Sequence, residues 1–257
     1  MKTAYEHFSR IAPKYTHLRT TDTTPVRYIV KRLSSQSSLH AADVGCGSGR
    51  YDRLLFHYLK QRLDLICVDD NEEMLRRLRH DLREYAPQLH VMRARARALP
   101  LASASLDAMF TFNAIHHFKI EAFLQEAARI LKPEGRLFIY TRTRSQNSRN
   151  IWGRYFPHFY EKETRLFEFI ELADLIAATP HLHLEQIRVF EHGRLAPMKR
   201  LAQQARHGHY STFDLYTEEE FAAALTQFRS NLRRAFPRQQ EVKWVDENLM
   251  LVVRRVA

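Results

Sequence analysis

Cysteine is scarce in this chain: Cys46 and Cys67 are the only two among 257 residues. Two thiols cannot build a disulfide framework, so stapled secreted scaffolds are excluded and a reducing cytoplasm is the expected compartment. Long apolar runs are missing too. None approaches the ~18–20 residues a membrane helix needs, so no membrane partner is expected. The opening stretch Met1-Lys2-Thr3-Ala4-Tyr5-Glu6-His7 lacks the apolar segment of a signal peptide. No internal repeat or low-complexity tract stands out. Neither a helical pair of metal ligands nor a cysteine cluster is visible, so no metal is expected.

What is present suits a globular enzyme. Apolar residues make up 45% of the chain, enough for a real core. The length fits one α/β domain with an insertion, or two small domains. A net charge of +11 favours a polyanionic partner such as RNA, or an acidic substrate. The plainer reading is arginine scattered over solvated faces. Arg76, Arg77, Arg79 and Arg83 illustrate it, interleaved with Glu72, Glu73, Asp81 and Glu84.

The order of elements is more informative. Residues 4–33 read as one or two helices. Residues 39–44 form a short apolar strand that runs into a glycine-rich turn, and helical spacing follows over 50–60. A second strand, 63–68, ends at Asp69-Asp70, and a helix spans about 71–85. Strands are expected over 89–95, 106–112 and 137–140, with an amphipathic helix over 119–131. Strand–helix alternation at this spacing argues for a parallel sheet covered on both faces. After residue 141 the rhythm breaks. A helix over 163–178 and a strand near 184–190 follow, then weak periodicity over 192–216. Thr217 and Glu220 form a capping-box signal that opens a helix to about 235. A strand pair or long strand through Val242–Val253 closes the chain.

Gly45-x-Gly47-x-Gly49 stands between a strand and a helix. Without Cβ atoms such a run turns sharply and lets the backbone approach a ligand, and the helix start behind it offers free N–H groups. Asp69 ends the next strand, where a carboxylate can accept from a ribose diol. A dinucleotide loop is spaced G-x-G-x-x-G, so that a pyrophosphate sits on the helix start. Here the spacing is G-x-G-x-G, with Asp43 ahead of it. That carboxylate suits an ammonium and repels a pyrophosphate, which points to an amino-acid nucleoside.

The motifs together resemble class I S-adenosylmethionine-dependent methyltransferases of the bacterial small-domain, type 11-like kind. The resemblance rests on Asp43-Val-Gly-Cys-Gly-Ser-Gly49, on Val68-Asp69-Asp70-Asn71-Glu72-Glu73-Met74-Leu75 and on Ala98-Leu99-Pro100 with Leu106-Asp107. It continues in Asn113-Ala114-Ile115-His116-His117-Phe118 and Ile130-Leu131-Lys132-Pro133-Glu134-Gly135. It covers residues 41–140 and does not extend clearly beyond 190.

This resemblance implies an α/β fold: a Rossmann-like, seven-stranded, mostly parallel sheet with helices on both faces. It also implies S-adenosyl-L-methionine as cofactor. Asp43, Gly45, Cys46, Gly47, Gly49, Asp69, Asp70, Met74, Arg95, Ala96 and Asn113 are its expected contacts, with Tyr15 and Arg19 from the N-terminal helices. Two departures stand out. Arg95 occupies the place of an acid that faces the adenine amino group, and arginine cannot accept a hydrogen bond. Either backbone near Ala96 makes that contact or Arg95 points away. Glu134 stands where a glycine is usual.

One domain over 1–257 is expected, with a cofactor core at 36–141. Segment 1–33 would be a helical cover, and 142–162 and 192–240 would be lid or substrate insertions, the latter a helical insertion before the last strand. A sulfonium methyl is already activated, so orientation supplies most of the rate, and a base is needed only for a protonated nucleophile. His116 and His117 are the base candidates, or they cap and pack. Arg142, Arg144, Trp152 and Tyr155 are candidate substrate contacts, in a region that reads as an anion pocket, an RNA stacking surface or a packed lid. The leading function is methyl transfer to a small molecule. RNA methylation and cofactor binding without transfer remain alternatives, and neither the acceptor atom nor the oligomeric state is written in the sequence.

Overall fold

The computed structural model describes residues 4–12, 20–237 and 241–256. Tyr15 and Arg19 lie outside them. The described chain divides into two compact units. The first comprises Thr21–Thr141, Phe169–Phe190 and Leu249–Ala257 and is the α/β unit. The second comprises Met1–Thr20, Arg142–Glu168 and Glu191–Asn248 and is mainly helical.

The α/β unit begins with α2 (Thr23–Arg32), which follows α1 (Ala4–Ile11) of the helical unit. It then alternates β1 (Leu39–Val44), α3 (Arg50–Leu59), β2 (Leu63–Asp69), α4 (Glu72–Asp81) and β3 (Leu89–Arg93). β4 (Leu106–Phe112), α5 (Ile120–Ile130) and β5 (Leu131–Thr141) complete the run. The sheet has seven strands in the order β3-β2-β1-β4-β5-β7-β6, where β6 is Leu182–Pro197 and β7 is Glu241–Arg255. The boundary between units falls inside both of these long strands. The first five strands pair in parallel, and β7 runs antiparallel to β5. The expected Rossmann-like, seven-stranded, mostly parallel sheet is therefore the observed one.

The central strands are buried along nearly their whole length, the pattern of a sheet covered on both faces. α3 buries Tyr51, Asp52, Leu55, Phe56 and Leu59, a three-to-four spacing that presents one stripe to the core. The Tyr51 ring stacks on Phe112 with centroids 4.3 Å apart. Strand order reverses at β1, which lies between β2 and β4. In open α/β sheets the crevice at such a reversal, beyond the carboxyl ends of the strands, is where ligands bind. Register sets those ends level: Asp43 pairs with Cys67 and Val44 with Val68.

The turn before the fifth strand is part of β5, which starts at Leu131 and not at Leu137. Glu134 sits there at φ 67°, the left-handed region that glycine adopts freely. Its carboxylate takes two hydrogen bonds from Arg254 Nη1, at 2.8 and 2.9 Å.

The helical unit adds α6 (Arg144–Arg149), α7 (Ile151–Tyr155), α8 (Phe159–Lys162), α10 (Met198–Arg206) and α11 (Glu218–Ala235), while α9 (Phe169–Ala177) belongs to the α/β unit. The capping box at α11 forms as expected: Glu220 N–H donates to Thr217 Oγ1 and Thr217 N–H to Glu220 Oε2. A second box, Thr143 with Gln146, opens α6. The stretch 192–216, weakly periodic in sequence, holds the end of β6, α10 and a short turn of helix. Among the described residues no helix is long and apolar enough to cross a membrane.

Candidate cofactor site

β1 delivers its chain into a loop whose three glycines all have positive φ, at 75°, 57° and 78° for Gly45, Gly47 and Gly49. The requirement is strict at two of them. A Cβ on Gly45 would lie 2.6 Å from the Ala114 Cβ, and one on Gly49 would lie 2.7 Å from the Leu82 Cδ1. Gly49 is also the residue from which α3 starts. The loop is stitched to β2, because the N–H groups of Gly45 and Cys46 both donate to the Val68 carbonyl, at 2.8 and 3.1 Å.

Asp69 anchors the other side. Its Oδ2 accepts from the Gly47 N–H and its Oδ1 from the Asn71 N–H, each at 2.9 Å. Burial pushes this carboxyl up to about 6, against the pull of the Asn71 and Gly47 N–H groups. Each oxygen retains a lone pair, so a fixed acceptor of two further hydrogen bonds stands at the end of β2. Asp70 beside it is exposed, and its carbonyl accepts from Arg93. Met74 is 1% exposed and belongs to the core, with its N–H held by the Asn71 cap.

Asp43 is 2% exposed, and its Oδ1 has no hydrogen-bond partner. Burial, then the neighbouring charge of Asp52, pushes its carboxyl well above the usual range. Asp52, from the first turn of α3, is fully buried, and burial raises it to about 6. The sequence reading gave Asp52 no role. The signal was available, since Asp52 stands three and four residues before Leu55 and Phe56 on the buried stripe. Two adjacent buried carboxyls resist carrying two charges and favour a cation beside them.

The remaining candidates fall around the carboxyl ends of β3 and β4. Arg95 is exposed at a small turn, where the Ala98 N–H donates to its carbonyl, and Ala96 is half-buried. Asn113 follows β4 at φ 54° and donates its N–H to the Tyr140 carbonyl at 2.7 Å. His116 and His117 follow in one turn of 3-10 helix, both half-buried, with ring centroids 4.1 Å apart.

Residues 42–139 match the family model described as a methyltransferase domain. These residues form a class I, Rossmann-like methyltransferase domain. Its relatives include a tRNA (carboxymethyluridine(34)-5-O)-methyltransferase of Mus musculus, 29% identical over 60% of this chain and 22% of the relative. A protein of Mycobacterium tuberculosis, named as an S-adenosylmethionine-dependent methyltransferase, is 30% identical over 65% of this chain and 55% of the relative. The chain thus spans 22% and 55% of the lengths of these two curated relatives. Among solved structures, a methyltransferase assigned to an antibiotic biosynthesis pathway of Anabaena variabilis superposes with a TM-score of 0.66. It is 22% identical and covers 91% of this chain and 98% of its own, a likeness of fold.

The cofactor of the domain is S-adenosyl-L-methionine, and the residues present fit it. The partnerless Asp43 Oδ1 suits an ammonium group, and Asp69 keeps acceptors for a diol. NAD would bring a pyrophosphate toward two buried carboxyls, which is unfavourable.

The candidate substrate residues of the methyltransferase domain's companion unit have engaged side chains. Arg142 donates to the Tyr210 hydroxyl and the Glu247 carbonyl and pairs with Asp246 at 3.3 Å. Arg144 pairs with Glu168 at 3.8 Å. Trp152 is 2% exposed and stacks on Phe228, with centroids 5.2 Å apart, in a core that includes Phe156, Phe159 and Phe213. Tyr155 packs against that core half-buried.

Proposed function

We propose that the whole protein moves a methyl group from S-adenosylmethionine to a small-molecule acceptor. The arrangement that supports methyl transfer most is the Asp43–Gly49 loop locked to Asp69, with an unpartnered buried carboxylate oxygen at its base. In this reading Asp69 holds the ribose diol, Asp43 meets the amino-acid ammonium, and backbone near Ala96 meets the adenine. The cofactor supplies a sulfonium-activated methyl group. The chain's own part is to hold the nucleophile in line and exclude water. Where the acceptor arrives protonated, His117 or His116 takes its proton.

The choice of a small acceptor over RNA draws on the arginines of the helical unit. Arg142, Arg149, Arg165 and Arg194 each have a carboxylate partner, so their charge is spoken for within the fold. The rival reading, RNA methylation, is favoured by the net charge and by the named activity of the Mus musculus relative. Incubation with labelled cofactor and fractionated extract separates the two. Label in the small-molecule fraction is expected. Label in RNA, with RNA affinity that falls linearly in log salt, would overturn the small-molecule assignment.

A further inference from the structure

Among the described residues, one group of three metal-competent side chains comes together: Cys46 of the cofactor loop, Cys67 of β2 and Asp52 of α3. We infer that these three form a binding site for a thiophilic divalent cation of the zinc group. The one donor atom from each lies within 4.8 Å of the others. In a tetrahedral shell with Zn–S near 2.3 Å, donors stand roughly 3.8 Å apart, so side-chain rotations of about 1 Å close the site.

Asp52 carries the argument. It is fully buried, no N–H group or hydroxyl of the described residues donates to either carboxylate oxygen, and its polar neighbours are the Asp43 carboxyl and the Cys67 thiol. Two buried carboxyls and two thiols with no cationic side chain among them are poorly compensated when ionised, and a cation held by them would supply that compensation. Two thiolates with carboxylate oxygen suit zinc and cadmium and disfavour magnesium and calcium. On binding, the cation takes the place of the two thiol protons, which leave to solvent. No reductant or oxidant is involved.

The three ligands come from separate segments, which is why the sequence showed no cysteine cluster. Cys46 lies between Gly45 and Gly47, whose N–H groups are bonded to Val68 and Asp69. A cation here therefore fastens the cofactor loop to β2 and α3 at one point.

The test is titration of the purified full chain with Cd2+, read by the thiolate-to-cadmium charge-transfer absorbance and by native mass spectrometry. One cation per chain, with the charge-transfer band, is expected. Cys67→Ala and Asp52→Asn should each weaken binding by at least the ~10–100-fold that even an outer-shell partner is worth. Cadmium NMR of the unaltered protein gives a readout independent of any variant's folding, and a shift in the two-thiolate range is expected. A nitrogen- and oxygen-type shift, no charge-transfer band, or equal affinity in folded Cys67→Ala would overturn the site.

Discussion

Replacing Asp69 separates its work on the ligand from its work on the fold. In the ligand-free protein its two oxygens hold the N–H groups of Gly47 and Asn71. Burial raises it from 3.8 to about 6. That shift of about 2 units means that ionised Asp69 costs the fold at most ~3 kcal/mol at neutral pH. Asp69→Asn removes this penalty but turns one acceptor into a donor against an N–H, a loss of ~1–3 kcal/mol. The two effects nearly cancel, so the ligand-free melting temperature should move by only a few degrees.

Ligand affinity should behave otherwise. Two ribose hydroxyls on a charged acceptor are worth ~1.5–3 kcal/mol each, or about 3–6 kcal/mol together. Asp69→Ala should therefore weaken S-adenosylhomocysteine by roughly a hundredfold or more, and Asp69→Asn by about half as much on a logarithmic scale. Isothermal calorimetry measures the order: wild type, then Asn, then Ala. An Ala variant within threefold of wild type would refute the ribose assignment. A variant that no longer melts cooperatively would refute the claim that the residue's value lies in binding.

Three further outcomes follow from the same geometry. Gly49→Ala must adopt φ 78° and meet Leu82 at 2.7 Å; about 2–5 kcal/mol of stability should be lost, and a thermal melt unchanged from wild type would contradict this. Burial holds Asp69 at about 6 in the fold and keeps the neighbouring Asp43 and Asp52 above the ordinary carboxylate range. The folded state then binds more protons than the unfolded one from about pH 4 to 6 and above, so ligand-free stability falls as pH rises through that window. Urea midpoints at pH 5 and pH 7 read this, and the fall should shrink in Asp52→Asn; an equal fall in the variant would show that other groups cause it. Trp152→Ala should destabilise the helical unit by ~3–5 kcal/mol, as core aromatics do. Intact near-ultraviolet circular dichroism and melting would instead mark Trp152 as a surface kept for a ligand.

The parts of the site that were legible in the sequence are those fixed by backbone geometry. Gly45, Gly47 and Gly49 are needed for positive φ, and Asp69 ends a strand whose register with β1 is set by local pairing. Side-chain partnerships across long separations were not legible. Arg142 read as a candidate anion contact, but its partners Asp246 and Glu247 lie more than a hundred residues on. Trp152 is buried by Phe213 and Phe228, which no local pattern links to it. Glu134 shows the opposite case. Its departure from glycine was visible, while the Arg254 contact that accompanies its left-handed backbone required the fold.

Which ligand the Asp43–Gly49 loop accepts is tested most directly by a thermal shift with two ligands. At a hundredfold excess over Kd, S-adenosylhomocysteine should stabilise the protein by about 2.7 kcal/mol. For a chain of this size that is a rise of roughly 5–10 °C. NAD at the same concentration should leave the melt unchanged. A shift with NAD and none with S-adenosylhomocysteine would contradict the assignment of the cofactor.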